Sequence, residues 1–179
     1  MISETGWLLR NSRIAHTMRR NRKKKNDSVY LFLDFDGVIN VFCLEGTPEY
    51  EEAISRKEFD FVRKSCMDKL NAFFRDYPCK LIISSSWRYA GEDYCMKYLY
   101  DHGMDRSITL QGMTEVRLEE KREEEIIDYL LEKDDYSGYI IFDDGPMPHI
   151  RDYLIQTDPL KGWDDEADEK ARALMRRFQ

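Results

Sequence analysis

The segment Val29–Gly37, VYLFLDFDG, constrains this 179-residue chain more than any other. Its first five residues are apolar, β-branched or aromatic, with no polar interruption. A run so continuous suits a strand buried on both faces of a parallel sheet rather than one with a wet face. It nevertheless ends in Asp34 and Asp36. In an extended chain, residues two apart project to the same face, so both carboxylates address one site while Phe35 turns into packing. Two acids leaving a buried strand are costly unless they are paired, hydrogen-bonded or bound to a cation. Gly37 lets the chain turn sharply behind them.

Two further apolar runs share this design. Lys80–Ile83 leads into Ser84-Ser85-Ser86-Trp87-Arg88, and Tyr139–Phe142 leads into Asp143-Asp144-Gly145. Helical spacing lies between them. From Glu58 to Tyr77, Phe59, Val62, Cys66, Leu70 and Phe73 recur at intervals of three and four until Pro78 stops the pattern. Asp93–His102 reads as a short helix closed by Gly103. Leu118–Glu132 reads as a charged helix with Ile126, Ile127, Leu130 and Leu131 inward. His149–Leu154 and Asp164–Phe178 also read as helices, and Asn40–Arg56 as an irregular excursion rich enough in Phe42, Glu45 and Tyr50 to serve as a small lid. Strands alternating with amphipathic helices imply an α/β fold with a central parallel sheet. In such sheets ligands gather beyond the carboxyl ends of the strands, where all three runs end in hydrophilic residues.

The chemistry expected there follows from the residue types. Asp34, Asp36, Asp143 and Asp144 converging at one sheet edge repel one another, and a hard divalent ion such as Mg²⁺ is their natural neutraliser. The hydroxyls of Ser84 and Ser85 are neutral donors for phosphoryl oxygens, and Lys121 or Arg122 offers positive charge. Cys43, Cys66, Cys79 and Cys95 lack metal-ligand spacing and are expected to be reduced thiols. No apolar run approaches the ~20 residues of a membrane span, and no secretory leader is evident, so a cytoplasmic protein is expected.

Charge is unevenly distributed. Residues 10–25 hold eight Lys or Arg and no acid, so the net charge of −7 leaves −15 on the rest. An acidic body is a poor general binder of phosphate backbones. The basic segment, with Trp7, Leu8, Ile14 and Met18 partly aligned, is a solvated helix, a frayed terminus, or a contact for nucleic acid or another acidic partner. Two regions are thus expected: a basic N-terminal extension over residues 1–27 and a catalytic domain over residues 28–179.

The motifs together resemble the haloacid dehalogenase (HAD) superfamily. Asp34-Phe35-Asp36-Gly37-Val38 is similar to its first motif, Ser84/Ser85 to its second, Lys121 or Arg122 to its third, and Asp143-Asp144 to its fourth. The finer pattern LDFDGVIN, SSSWR, RxxEIxxYL and IIFDD resembles the HAD domain of Swiss-army-knife RNA repair proteins. The resemblance implies a Rossmann-like three-layer sandwich and a Mg²⁺-dependent phosphatase working through an aspartyl-phosphate. Asp34 would be the nucleophile and Asp36 the acid and base. Asp34, the Asp36 carbonyl, Asp143 and Asp144 would be metal ligands. Ser84 or Ser85 and Lys121 or Arg122 would hold the phosphoryl group. The gaps between motifs are too short for a large cap, which favours substrates that bring their own bulk: a nucleic-acid end, a phosphoprotein, or a nucleotide under a small lid. A catalytically silent binding or regulatory module and a phosphotransferase remain as alternatives. Asp36 argues against dehalogenation, which needs no proton donor.

Overall fold

The computed structural model describes residues 2–24, 28–56, 62–117 and 121–178. Its frame is a five-stranded, all-parallel sheet: β1 (Val29–Leu33), β2 (Cys79–Ile83), β3 (Leu110–Met113), β4 (Gly138–Asp143) and β5 (Leu154–Gln156), in the order β3-β2-β1-β4-β5. Helices α1 (Glu4–Lys23), α2 (Pro48–Arg56), α3 (Lys64–Asp76), α4 (Glu92–Asp101), α5 (Arg122–Glu132) and α6 (Asp165–Met175) accompany it. This is the expected three-layer α/β architecture. Among the described residues, α2 and α3 are the helices between β1 and β2. A 3₁₀ turn (Ser86–Ala90) and α4 stand between β2 and β3, and among the described residues neither stretch holds a separate cap domain.

The middle position of β1 explains its composition. All five of its residues are buried, because β2 and β4 cover both edges and helices cover both faces. Leu33 pairs in register with Ile83 on one side and Phe142 on the other. The next residues continue this register. The Asp34 amide donates to the Phe142 carbonyl at 3.0 Å, Ser84 to Leu33 at 2.9 Å, and Thr114 to Ile83 at 3.0 Å. Thr114, Ser84, Asp34 and Asp143 therefore form one row across the carboxyl ends of four strands.

Two strands differ from the sequence reading. β3, with the sequence LQGM, has no buried residue, and β5 begins at the last residue of the stretch expected to be helical over His149–Leu154. Only a single 3₁₀ turn, Arg151–Tyr153, precedes β5. Both are short edge strands wetted on one side, so neither carries a buried strand's apolar run. Asn40–Arg56, expected to be irregular, ends in α2. The helix expected over Glu58–Tyr77 is described as Lys64–Asp76, and its residues 58–61 lie outside the described residues, as do residues 118–120 of the helix expected over Leu118–Glu132.

The basic segment forms α1 and lies along α5. Trp7, Ile14 and Met18 join the main core, whereas Leu8 is 70% exposed. Trp7 stacks on the His149 ring at 4.1 Å between centroids and 3° between planes. Asn21, also buried, donates to the Asp134 and Tyr136 carbonyls, each at 2.7 Å. Arg10 pairs with Asp128 and Arg22 donates to the Ser137 carbonyl. Deleting a buried tryptophan costs roughly 3 kcal/mol or more. Trp7→Ala should accordingly lower the urea midpoint with no change in slope. An unchanged midpoint would mean that α1 adds nothing to the stability of the sheet domain.

Candidate active site

The acids meet where β1 and β4 end side by side. Carboxylate oxygens of Asp34, Asp143 and Asp144 all lie within 4.8 Å of one another. Asp34 and Asp143 are buried, and Asp144 is partly exposed. Each of the buried pair has one oxygen fixed by a nearby amide: Phe35 N–H donates to Asp34 Oδ1 at 2.7 Å, and Gly145 N–H to Asp143 Oδ1 at 2.8 Å. Asp143 Oδ2 is buried with no hydrogen-bond partner, and so is Nη1 of Arg122. Gly37 is required here for two reasons. Its φ is +73°, and a Cβ would sit 2.7 Å from the Asp144 side chain, so only glycine lets the two acidic turns approach.

Arg122 opens α5 and is the cation that faces this cluster. Its Nη1 stands 3.7 Å from Asp34 Oδ1 and 3.7 Å from Asp143 Oδ2. Lys121, the other sequence candidate, is exposed at the N-cap position of the same helix. Ser84 sits in the row beside Asp34, with the Thr114 hydroxyl 3.5 Å from its own. The Ser85 hydroxyl hydrogen-bonds to the Asp34 carboxylate and also accepts from the Trp87 amide at 3.3 Å. Both serines are fully buried beside Asp34.

The electrostatics are those of an unneutralised acid cluster. Burial pushes the Asp34 carboxyl above its ordinary range, opposed by the Arg122 guanidinium, the Ser85 hydroxyl and the Phe35 amide. Burial, and after it the Asp34 charge, push Asp143 up to about 7. Burial also raises Asp144. Two like charges 4 Å apart at an effective dielectric of 20 repel by about 4 kcal/mol, and one guanidinium cannot offset several such pairs. The donor set is all carboxylate oxygen, one of them buried and unpartnered, which fits a hard divalent cation.

Several side chains hold this arrangement, and Glu125 and Asn40 among them had no role assigned from the residue pattern. Glu125, the acid of RxxE, accepts from Arg88 Nη2 at 2.5 Å in a pair whose side chains are 4% and 5% exposed. It stands 3.8 Å from Arg122 Nε. Arg88 also donates to the Ser85 carbonyl at 2.6 Å. Glu125 thus links the serine turn to the arginine that faces Asp34 and Asp143. Asp36, half-buried, accepts from Trp87 Nε1 at 2.8 Å and from Asn40 Nδ2 at 3.0 Å. His149 is occupied by Trp7 and by Glu123, whose carboxylate lies 2.9 Å from Nδ1. All four cysteines are free, and burial raises the thiols of Cys66, Cys79 and Cys95. Among the described residues no helix is long and apolar enough to cross a membrane.

A parallel sheet with an acid pair after its central strand, a serine turn, an arginine and a second acid pair defines a HAD-type domain, of a superfamily of phosphatase-type hydrolases. Residues 30–167 match the HAD domain in Swiss Army Knife RNA repair proteins, and the chain belongs to that family. No curated protein and no solved structure matches the chain.

Removing one buried like charge should stabilise the metal-free protein. Asp143→Asn is expected to melt higher than wild type in EDTA, by about 2–4 °C for a gain on the order of 1 kcal/mol. Mg²⁺ should raise the melting temperature of wild type and not that of the variant. Equal Mg²⁺ responses would place the cation elsewhere.

Proposed function

We propose that the protein is a Mg²⁺-dependent phosphatase that hydrolyses phosphomonoesters through an aspartyl-phosphate on Asp34. The observation that carries this reading is the row Ser84–Asp34–Asp143, faced by Arg122 at 3.7 Å from both acids. Asp34, Asp143 and Asp144 would hold Mg²⁺ together with the Asp36 carbonyl. The ion supplies charge neutralisation and orientation to the phosphoryl group. Catalysis of phosphoryl transfer rests on such positioning and electrostatic stabilisation.

The residues divide the work between two displacements. A carboxylate oxygen of Asp34 attacks phosphorus as the ester P–O bond breaks, and the leaving oxygen takes the proton of the Asp36 carboxyl group. Water then attacks phosphorus while its proton goes to Asp36, and the bond to Asp34 breaks to release inorganic phosphate. Arg122 offsets the charge that gathers between nucleophile and phosphate. Ser84 or Ser85 donates to a phosphoryl oxygen, and Ser85 does so only by turning its one proton from the Asp34 carboxylate. Lys121, exposed one residue before Arg122, is left for substrate beyond the phosphate.

The substrate class we favour is a nucleic-acid end. The stretches between strands hold little to enclose a small molecule, and the chain has a cationic surface of its own. α1 precedes the family-matched residues, and its Arg13, Arg19 and Lys23, with Lys24 at its C-cap, are exposed. Arg10 and Arg22 are instead committed to internal partners. The exposed four offer a contact for a phosphate backbone on an otherwise acidic domain.

Phosphate release would be measured from an aryl phosphate, nucleotides, a phosphopeptide, and 3′- or 5′-phosphorylated oligonucleotides, in Mg²⁺ or EDTA, on wild type and Asp34→Asn. Release is expected only from wild type with Mg²⁺, with oligonucleotides turned over best and their rates alone falling steeply with added salt. Release that survives Asp34→Asn would refute the nucleophile. A salt-insensitive preference for nucleotides or phosphopeptide would refute the substrate class.

A further inference from the structure

Asp36 is more tightly held than a half-buried carboxylate at the rim of a site needs to be for folding. Each of its oxygens has its own donor: Oδ2 accepts from the Trp87 indole at 2.8 Å, and Oδ1 from the Asn40 amide at 3.0 Å. Both donors are themselves fixed. The Trp87 ring lies 4.4 Å from Tyr98, 5.7 Å from Phe35 and 6.3 Å from Tyr94, centroid to centroid. The side-chain carbonyl of Asn40 accepts from the Tyr98 hydroxyl at 2.8 Å, and its backbone carbonyl accepts from Gly37 N–H at 2.7 Å. Tyr98 therefore supports both donors at once, one through its ring and the other through its hydroxyl.

We infer that Trp87 and Asn40 are positioning residues for Asp36, setting the direction from which its carboxyl meets the leaving-group oxygen. The inference rests on the reading of Asp36 as proton donor and adds what aims it. The two donors are neutral, so they orient the carboxyl without the ion pair that a lysine or arginine would impose in their place. A group in proton transfer has to stand within hydrogen-bond reach of its target, and misplacement by about 1 Å is enough to lose a large factor in rate. The Trp87–Asp36 bond also ties the 3₁₀ turn after β2 to the loop after β1, so the acid and the serine turn are held in register.

A proton donor matters in proportion to how poor the leaving group is, and this separates aiming from mere packing. The test is kcat/KM, which reports the first displacement and not the hydrolysis that follows it, on a series of aryl phosphates from 4-nitrophenyl to phenyl phosphate, with Mg²⁺. Wild type is compared with Trp87→Phe, which keeps an aromatic ring against Phe35 and Tyr98 but removes the indole N–H. Asn40→Ala removes the other donor with the ring cluster intact. Wild-type rates should depend weakly on leaving-group basicity. In both variants the dependence should steepen, so that the phenyl-to-nitrophenyl rate ratio drops by about tenfold, a fraction of the 10²–10⁴ that general acid catalysis supplies. A parallel loss on every ester, beside a shallow wild-type series, overturns the inference and leaves Asp36 as donor. A wild-type series already steep, or no release at all, overturns the donor role and the inference with it.

Discussion

The arrangement at the carboxyl edge of the sheet follows from the repulsion among buried carboxylates at the ends of β1 and β4. Strands that must be apolar throughout to sit in the middle of a parallel sheet end, one residue later, in groups that burial disfavours. The fold offsets part of this with backbone amides, with Ser85 and with the guanidinium of Arg122, and the remaining acid cluster could hold a metal ion. An acid cluster raised by burial and by its own mutual charge is poorly stabilised without metal and well suited to binding one. The same imbalance accounts for Gly37, since the two acidic turns approach so closely that no side chain fits between them.

Around this cluster stands a second layer that fixes directions rather than charge. Arg88 and Glu125 form a buried pair between the serine turn and the start of α5, so that Arg122 is presented from a helix tied to β2. Such a pair is costly to desolvate and contributes little net stability, but breaking it leaves an uncompensated charge inside the protein. Its consequence is geometric: the turn bearing Ser84 and Ser85 cannot shift without moving the arginine. Trp87, Asn40 and Tyr98 do the same for Asp36. α1 belongs to neither layer, yet its Trp7 and Arg10 clasp His149 and Asp128 and brace the outer side of α5.

Much of the fold was legible because β1, β2 and β4 are short, nearly unbroken apolar runs, and a chain gains little from such a run unless both its faces are buried. The two edge strands escaped notice because LQGM and LIQ are short and half-wet, and their pairing is set by neighbours remote in sequence. The four aspartates were readable from their places at strand ends. Between Lys121 and Arg122 the residue types did not choose; in the structure Arg122, the first residue of α5, stands near Asp34 and Asp143, while Lys121 is exposed in extended backbone before it. Both serines stay candidates in the structure, since one shares the row and the other reaches the carboxylate. Glu125 and Asn40 were hidden in plain view, each one polar residue among many, because a buried partner shows only in three dimensions. α1 was half-legible: Trp7, Ile14 and Met18 fall on its docked face, but its weak pattern also aligned Leu8, which points to solvent.

The central claim is that Asp34 itself takes up the phosphoryl group. Acid quenching of wild type during turnover of a phosphate-labelled substrate, followed by peptide mapping, tests this directly. The account predicts a hydroxylamine-labile phosphate on the peptide that contains Asp34, absent from Asp34→Asn. Steady turnover with no label on that peptide at any quench time would mean that water attacks the substrate without it, and would contradict the account.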